Sequence, residues 1–318
     1  MTSHSLYLLE QLNSGCGYFI QADRCLLAKR TRYQDLALYE SAHFGKFLCL
    51  DNLFMTSEAD EFFYHENLIH PAAMTHPAPR SALIIGGGDG GAAEEVLKHS
   101  TIEHVVLAEL DAEVVDVCRE QLGTIHRGVF DDPRLQLMIG DGRTYLENVT
   151  TTFDLIILDL TDPQGPSLGL YTQEFYHLCK TRLSGAGLLA LHVESPISRP
   201  KTYARIITTL CQVFPIVRPY LVYIPLYGTW WGMATASESS DPCALTPSEV
   251  EHQIATRGIE HLRFYNGDTH RSVFALPNFI RELLRQPVSP LTDASVDLDE
   301  APLPYRLKVV SESVTPMP

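Results

Sequence analysis

The sequence lacks any apolar run long enough to cross a membrane. Its longest runs, such as Ala82–Ile85 and Leu155–Leu158, have the length of strands, whereas a membrane helix needs about 20 apolar residues. The first residues, Met1–Ser5, show no basic region followed by an apolar stretch, so no secretory signal is predicted. These absences favour a cytoplasmic protein without a membrane partner.

Cysteines and basic residues are also few. The 7 cysteines are scattered and show no metal or redox spacing, which favours reduced thiols. Lys and Arg number 24 against 39 Asp and Glu, a formal net charge of −15, and no basic face for nucleic acid is indicated. An acidic balance mostly serves solubility, but it also attracts polycationic ligands over long distances.

What the sequence does contain is a change of pattern near residue 80. Before it, short runs rich in β-forming residues are separated by turn residues, and a helical segment, Ala59–Met74, follows them. This pattern predicts a small antiparallel β-domain with a connecting helix over residues 1–75. The predicted strands are Tyr18–Gln21, Cys25–Thr31, Leu36–Tyr39 and Phe47–Leu50.

From residue 76 to 290, short apolar strands alternate with helical segments. Such alternation is typical of a parallel sheet covered by helices on both faces. We therefore predict an α/β catalytic domain here, in which residues 246–286 form a helix, a strand and a helix. The segment 291–318, rich in prolines and acids, is predicted to be a loosely ordered tail.

A glycine-rich turn, Gly86–Gly91, stands between a predicted strand and a predicted helix. Glycines let a ligand approach the backbone, yet Asp89 in this turn repels phosphate and suits a cationic group. Glu109, 20 residues after it, ends the next strand, where an acid accepts hydrogen bonds from ribose hydroxyls. Asp141 follows the third strand, where an acid can meet an adenine amino group. The pattern predicts a nucleoside site without phosphate preference, and the structural alternative is a plain turn.

Several motifs, in the same order, resemble those of spermidine synthases and related aminopropyltransferases. The resemblance covers about Gln34 to Ser237 and extends more faintly to about residue 286. It implies a β-domain followed by a Rossmann-like sheet of the class I methyltransferase type, assembled as a homodimer or homotetramer. The matching segments are Tyr33–Asp35, Asp60–Glu66, Gly86–Gly91, Glu109–Asp111, Asp131–Arg134, Asp141–Gly142 and Asp159–Pro166.

The resemblance also implies an activity. Such enzymes move the aminopropyl group of decarboxylated S-adenosylmethionine, a co-substrate rather than a permanently bound cofactor, to a polyamine and release 5′-methylthioadenosine. Its sulfonium already makes the reacting carbon electrophilic, so no metal is required. A methyltransferase using S-adenosylmethionine and a non-catalytic polyamine-binding protein stay open as alternatives. Asp89 and the pair Asp159 and Asp162 argue against the first, and intact Asp159, Tyr64 and Tyr227 argue against the second.

By the same resemblance, each part of the two substrates has its own residues. The catalytic base is Asp159. The acceptor amine is held by Tyr64, Asp162 and Tyr227. The donor is held at its ribose by Gln34 and Glu109, at its adenine by Asp141, Gly142 and Pro166, and at its aminopropyl group by His65 and Asp89.

Two histidine positions have competing interpretations. His65 and His70 superficially resemble a zinc-binding helix, but five residues of spacing turn them about 140° apart on a helix, so no metal site is predicted. His192 stands where many relatives carry glutamine, and a satisfied buried histidine is favoured over a catalytic one. Glu94 and Met55 also depart from the arginine and glutamine common in relatives.

The acceptor side of the sequence departs most from the common pattern. The segment Ile224–Met233 is one residue shorter than the usual spermidine synthase loop, and with Leu262–Leu284 it is closer to thermospermine synthases. Putrescine is the commonest acceptor, while spermidine, agmatine and cadaverine remain alternatives. Trp230 and Trp231 are adjacent, so on a strand they face opposite sides and only one can reach an acceptor groove.

Overall fold

The computed structural model describes residues 6–163 and 165–296 of the 318. None of its described helices is long and apolar enough to span a membrane. The strands are β1 Leu6–Asn13, β2 Cys16–Ala22, β3 Arg24–Arg30, β4 Asp35–Ser41, β5 Gly45–Leu50, β6 Leu53–Ser57, β7 Ser81–Gly86, β8 His104–Glu109, β9 Leu135–Ile139, β10 Phe153–Asp159, β11 Leu183–His192, β12 Ile216–Ile224 and β13 Thr229–Ser237. The α-helices are α1 Glu61–Thr75, α2 Gly91–Leu97, α3 Ala112–Gln121, α4 Gly123–His126, α5 Gly142–Asn148, α6 Gln173–Arg182, α7 Pro200–Val213, α8 Pro247–Thr256, α9 Gly267–Val273 and α10 Asn278–Leu283.

The N-terminal part is antiparallel, as predicted. Strands β1 and β2 form a hairpin, and β3 to β6 form a four-stranded sheet in sequential order. Strands β1 and β6 were not predicted from the sequence. Strand β6 begins directly after a tight turn in which Asp51 and Asn52 have φ of 47° and 67°, so no stretch of turn residues separates it from β5. The helix α1 then joins this part to the next.

The larger sheet has seven strands in the order β12-β13-β11-β10-β7-β8-β9. Its core from β11 to β9 is parallel, and β13 pairs antiparallel with β11 and β12. Alternate residues of β7 enter the two apolar cores: Ile84 lies on the side of α1 and α2, whereas Leu83 and Ile85 lie on the side of α6 and α7. The predicted Rossmann-like sheet with an antiparallel β-domain before it is confirmed.

The strand predicted within residues 246–286 is wrong. The described structure there has the helices α8, α9 and α10, and residues 262–265 form a loop. The carboxylate of buried Glu66 on α1 accepts hydrogen bonds from the backbone N–H groups of Arg263, Phe264 and Tyr265 at 2.7, 2.9 and 2.7 Å. These donors are satisfied by a side chain, so the apolar segment needs no partner strand.

The predicted tail begins with residues that pack on the domain. Leu291 is fully buried, its carbonyl accepts a hydrogen bond from the backbone N–H of Gln173, and its own N–H donates to Thr209. Asp293 forms an ion pair with Arg143 at 2.6 Å. An apolar anchor, an ion pair and hydrogen bonds therefore hold residues 291–293 on the domain, while 297–318 lie outside the described residues.

Replacing this anchor tests how much it contributes. We expect Leu291→Ala to lower the free energy of unfolding by about 2–5 kcal/mol, because it removes a fully buried side chain and leaves a cavity. Denaturant unfolding measures the change. Phe279→Ala, at a side chain that is 52% exposed, serves as the control and should change stability far less. Equal stability of Leu291→Ala and the wild type would show that the segment is not anchored.

Candidate active site

A cavity of about 390 Å³ opens at the carboxyl ends of β7, β8 and β10. The side chain of Pro166 lies outside the part of the chain that the structure describes. The other predicted site residues all line this cavity: Gln34, Tyr64, His65, Asp89, Glu109, Asp141, Gly142, Asp159, Asp162 and Tyr227.

The glycine-rich turn packs directly against the end of β10. Gly86 has a φ of +82°, and a Cβ there would lie 2.0 Å from the carbonyl oxygen of Asp159. The backbone N–H of Gly87 donates to that carbonyl at 2.9 Å. Only glycine fits this close approach, so the turn fixes the backbone that carries Asp159.

The predicted nucleoside side is formed by acids at the ends of neighbouring strands. Glu109 accepts a hydrogen bond from the backbone N–H of Asp111 at 2.9 Å, and its removal from bulk water raises its pKa to about 7. The amide of Gln34 donates to the side chain of Asp111 at 3.0 Å. Asp141 accepts from the N–H of Thr144 at 2.6 Å and so caps α5. Each of these side chains is oriented by a protein contact and also lines the cavity.

His65 lies between two carboxylates. Its Nδ1 is 2.9 Å from Glu61 and its Nε2 is 3.5 Å from Asp89. Burial alone would lower the pKa of His65, but Asp89 and Glu61 raise it well above its usual value. Burial would raise the pKa of Asp89, but His65 and the N–H of Gly91 lower it. This shift favours the imidazolium form, in which both ring nitrogens are donors.

This protonation state decides which ligand the cluster suits. One possible ligand atom from each of His65, Asp89 and Asp159 lies within 4.8 Å of the other two. A metal would first have to displace a proton from this imidazolium. The two carboxylates can instead accept hydrogen bonds from an organic ammonium group.

Asp159 ends β10 with one oxygen available. The hydroxyl of Tyr64 hydrogen-bonds its carboxylate, and within the described residues its Oδ2 has no partner. Removal from water, and then the charge of Asp89, raise the pKa of Asp159 to about 6, although His65 opposes this. Burial likewise raises the pKa of Asp162 to about 6. A carboxylate with a free oxygen and this pKa can accept a proton near neutral pH.

A second, smaller chamber of about 30 Å³ shares Tyr64, Asp162 and Tyr227 with the first cavity as lining residues. Its wall includes Glu10, which the sequence analysis did not single out. Glu10 accepts a hydrogen bond from the N–H of Phe54 at 2.8 Å, and burial raises its pKa to about 8. In the sequence, Glu10 stands out only as an acid directly after the apolar pair Leu8 and Leu9. The strand that contains it, β1, was not predicted.

The chamber also distinguishes the two tryptophans. Trp231 lines it, is 9% exposed and stacks on His192 with 5.7 Å between ring centroids, while Trp230 is 46% exposed on the opposite side of β13. His192 is only half satisfied: its Nε2 contacts the carbonyl of Leu160 at 2.9 Å and the hydroxyl of Tyr171 at 2.8 Å. Its Nδ1 has no partner among the described residues, and burial lowers its pKa to about 4.

The loop after β12 forms another wall and is held from the N-terminal side. The carboxylate of Asp60 accepts the N–H of Leu226 at 2.7 Å, and the hydroxyl of Tyr18 donates to the carbonyl of Leu226. The hydroxyl of Tyr227 donates to the carbonyl of Met55 at 2.6 Å. Met55 contributes its backbone carbonyl to this contact. The difference from the glutamine common in relatives therefore leaves the contact intact.

Acids at the ends of parallel strands, around a cleft that favours cations, define a nucleoside-binding transferase of the Rossmann-like type. Family models support a narrower assignment: the spermine/spermidine synthase domain matches residues 61–246, and the spermidine synthase tetramerisation domain matches residues 7–58. The chain belongs to the spermine/spermidine synthase family. The predicted enzyme class, an aminopropyltransferase, is confirmed.

Individual relatives agree with this assignment. A polyamine aminopropyltransferase of Nitrosomonas europaea is 44% identical over 300 residues, which cover 94% of this chain and 92% of the relative. Polyamine aminopropyltransferase 2 of Hyperthermus butylicus is 42% identical over 90% of this chain and 95% of its own. A spermidine synthase solved in complex with the transition state analogue AdoDATO has a TM-score of 0.82 at 35% identity, covering 87% of this chain and 94% of that chain.

The contact of Tyr227 with Met55 gives a testable consequence. We expect Tyr227→Phe to lower the free energy of unfolding by about 1–3 kcal/mol, because the partly buried carbonyl of Met55 loses its donor. Urea unfolding measures this change. Tyr223→Phe, at a residue that is 45% exposed, is the control and should change stability by less than about 0.5 kcal/mol. If the two variants are equally stable, the Tyr227 hydroxyl does not anchor the loop.

Proposed function

We propose that this protein transfers the aminopropyl group of decarboxylated S-adenosylmethionine to putrescine, giving spermidine and 5′-methylthioadenosine. The observation that carries this proposal is one cleft in which Asp89, Asp159 and Asp162 lie beside the nucleoside-side acids Glu109 and Asp141. The amine nitrogen forms a bond to the propyl carbon, and the carbon–sulfur bond breaks with its electron pair going to sulfur. One proton leaves the attacking nitrogen, and Asp159 accepts it.

Donor binding is supported by the order of the side chains along the cleft. Glu109 and Gln34 would receive the ribose, and Asp141 with Gly142 would receive the adenine. A Cβ at Gly142 would lie 2.4 Å from Ile85, so the backbone there is closely packed. Asp89 would then pair with the ammonium of the aminopropyl arm. Ordinary S-adenosylmethionine carries a carboxylate beside that ammonium, and a fixed carboxylate at Asp89 disfavours it.

The base has to work against the basicity of the acceptor. An alkylammonium has a pKa of about 10.4, so its deprotonation at pH 7 costs roughly 4–5 kcal/mol at about 1.36 per pKa unit. Acids near an ammonium stabilise the charged form further. Asp159 must therefore accept a proton from the ammonium, because only the neutral amine has the lone pair that attacks, and the unpartnered Oδ2 of Asp159 supports this role.

The size of the chamber supports a short acceptor. The chamber beside Asp162 has about 30 Å³, which is room for about two water molecules. Asp162 and Glu10 would face the far ammonium of a diamine, while Trp231 would pack its methylenes. A triamine would need this chamber to widen, and spermidine therefore remains the alternative acceptor.

We also propose that the enzyme is a homotetramer assembled through its N-terminal region. The match of residues 7–58 to a tetramerisation domain supports this. The exposed apolar side chains of Leu9 and Phe19 on the β1–β2 hairpin, 41% and 61% accessible, are of the kind that association buries. Light scattering coupled to size exclusion distinguishes a tetramer from a dimer.

The role of Asp159 predicts a large kinetic effect. We expect Asp159→Asn to lower turnover roughly 10²–10⁴-fold, the usual scale for loss of a general base, with donor binding largely kept. In the wild type, kcat/KM should fall as the pH drops below about 6, because the carboxylate becomes protonated and can no longer accept the proton. Near-normal turnover of the variant, or kcat/KM constant from pH 7 to 5, would remove Asp159 from this role.

A matrix of donors and acceptors tests the function itself. Decarboxylated S-adenosylmethionine and S-adenosylmethionine are each incubated with putrescine, cadaverine, agmatine and spermidine, and products are resolved by mass. We expect methylthioadenosine and spermidine from the first donor with putrescine. S-adenosylhomocysteine instead would indicate a methyltransferase, and binding without turnover of any amine would indicate a polyamine-binding protein. Comparable or better kcat/KM for spermidine would contradict the short-acceptor assignment while leaving the enzyme class intact.

A further inference from the structure

Glu61 is a buried acid whose presence the mechanism so far leaves unexplained. Its side chain is 4% exposed at the first turn of α1, one helical turn before His65. An acid near a helix N-terminus gains about 0.3–1 kcal/mol from the helix dipole, but an exposed acid would gain this too. A carboxylate is buried at such a position only if it is paired and hydrogen-bonded.

The partner of Glu61 is the imidazole of His65, at 2.9 Å from Nδ1. The opposite nitrogen, Nε2, is 3.5 Å from Asp89. The ring also packs on the backbone of Gly91, where an added Cβ would lie 2.2 Å from the ring. Glu61, His65 and Asp89 thus form a buried row that ends in the cavity.

The charges in this row determine what Asp89 can bind. If His65 faced Asp89 alone, the imidazolium would neutralise that carboxylate and weaken its attraction for a cationic ligand. With Glu61 on the other side, the three groups sum to −1. Glu61 is itself held by Arg127, whose guanidinium lies 3.6 Å from Glu61 and 2.9 Å from Glu94. Glu94, which departs from the arginine of relatives, is therefore part of the support behind this row.

Other charged groups also face His65. Asp159 at the end of β10 and Asp60 before α1 both lie near it, and each carries negative charge when ionised. Neither is positioned as Glu61 is, since Glu61 alone of these described acids contacts Nδ1. The orientation of the ring therefore depends on Glu61 and Asp89 together.

We propose that Glu61 is a positioning residue for the donor: it takes up the charge of the His65 imidazolium and directs the opposite N–H toward Asp89. Asp89 is thereby held in place. The row of Glu61, His65 and Asp89 keeps a net negative charge, which attracts the aminopropyl ammonium of the donor. This inference rests on the proposed function, in which Asp89 receives that ammonium. It adds a residue that contacts neither substrate.

The test compares two buried carboxylate–histidine pairs in the full-length enzyme. Glu61→Gln keeps the shape and removes the charge. We expect a rise in donor KM of roughly 10-fold, the scale of one lost charge-assisted hydrogen bond, with kcat at saturating donor changed far less. Histidine NMR should show His65 titrating at lower pH in the variant than in the wild type, because Glu61 raises the pKa of His65.

The chain supplies a matched control in Glu95 and His70. Glu95 lies 2.9 Å from Nε2 of His70, both side chains are at most 1% exposed, and neither lines the cavity. Glu95→Gln should destabilise the protein by a similar mechanism but leave donor KM unchanged. If it raises donor KM as much as Glu61→Gln, the effect is general loosening and the proposal fails.

One more variant and a binding measurement complete the test. Glu61→Asp, which keeps the charge but shortens the side chain that contacts Nδ1 of His65, should raise donor KM by roughly two- to threefold, and it stands in for Glu61→Gln if that variant does not fold. Unchanged donor KM in both variants would overturn the proposal. Wild-type binding of decarboxylated S-adenosylmethionine is measured first by calorimetry. Failure of that binding would refute the proposed function, whereas binding that is insensitive to Glu61 refutes only this inference.

Discussion

The concentration of carboxylates around one cleft is the constraint on which the rest of the site depends. Removal from water raises the pKa of Asp159 and Asp162 to about 6 and that of Glu109 to about 7. Each group is therefore less stable as an anion here than in solution, and a bound cation relieves that cost. The imidazolium of His65 relieves part of it in the empty cleft. Preference for a cationic substrate then follows from the fold itself, and the acidic surface draws such substrates toward it.

Much of this arrangement was predictable because the relevant signals are local in the sequence. Gly86–Gly91, Glu109, Asp141 and Asp159 each follow an apolar strand, and the carboxyl ends of parallel strands meet at one edge of a sheet. The strand order places β10 directly beside β7, so Asp159 comes against the glycine-rich turn. Alternating strands and helices sufficed to predict that edge, and the motif resemblance supplied the roles of its residues.

Contacts between distant parts of the chain had no comparable signal. Tyr18 and Leu226 are 208 residues apart, and Asp60 and Leu226 are 166 apart, yet these pairs form one wall of the cleft. Glu10 reaches the chamber only because the β1–β2 hairpin folds over it. Glu66 was part of a recognised motif, but nothing in its neighbourhood shows that its carboxylate binds the loop of residues 263–265. The sequence of this apolar segment therefore resembles that of a strand, although the segment forms a loop held by Glu66.

The two halves of the cleft have opposite electrostatic tasks. In the proposed reaction, Asp89 binds an ammonium and keeps it charged, whereas Asp159 removes a proton from one, and both are carboxylates of the same cluster. Their neighbours separate them: His65 and the N–H of Gly91 lower the pKa of Asp89, while burial and the charge of Asp89 raise that of Asp159. The gap between about 6 and the 10.4 of a free alkylammonium is still about 4 units. Proton transfer before attack would thus be unfavourable by several kcal/mol. Because an ammonium nitrogen has no lone pair with which to attack, this cost is part of the barrier to transfer. The raised pKa of Asp159 reduces the cost, and alignment of the nitrogen with the reacting carbon lowers the rest of the barrier.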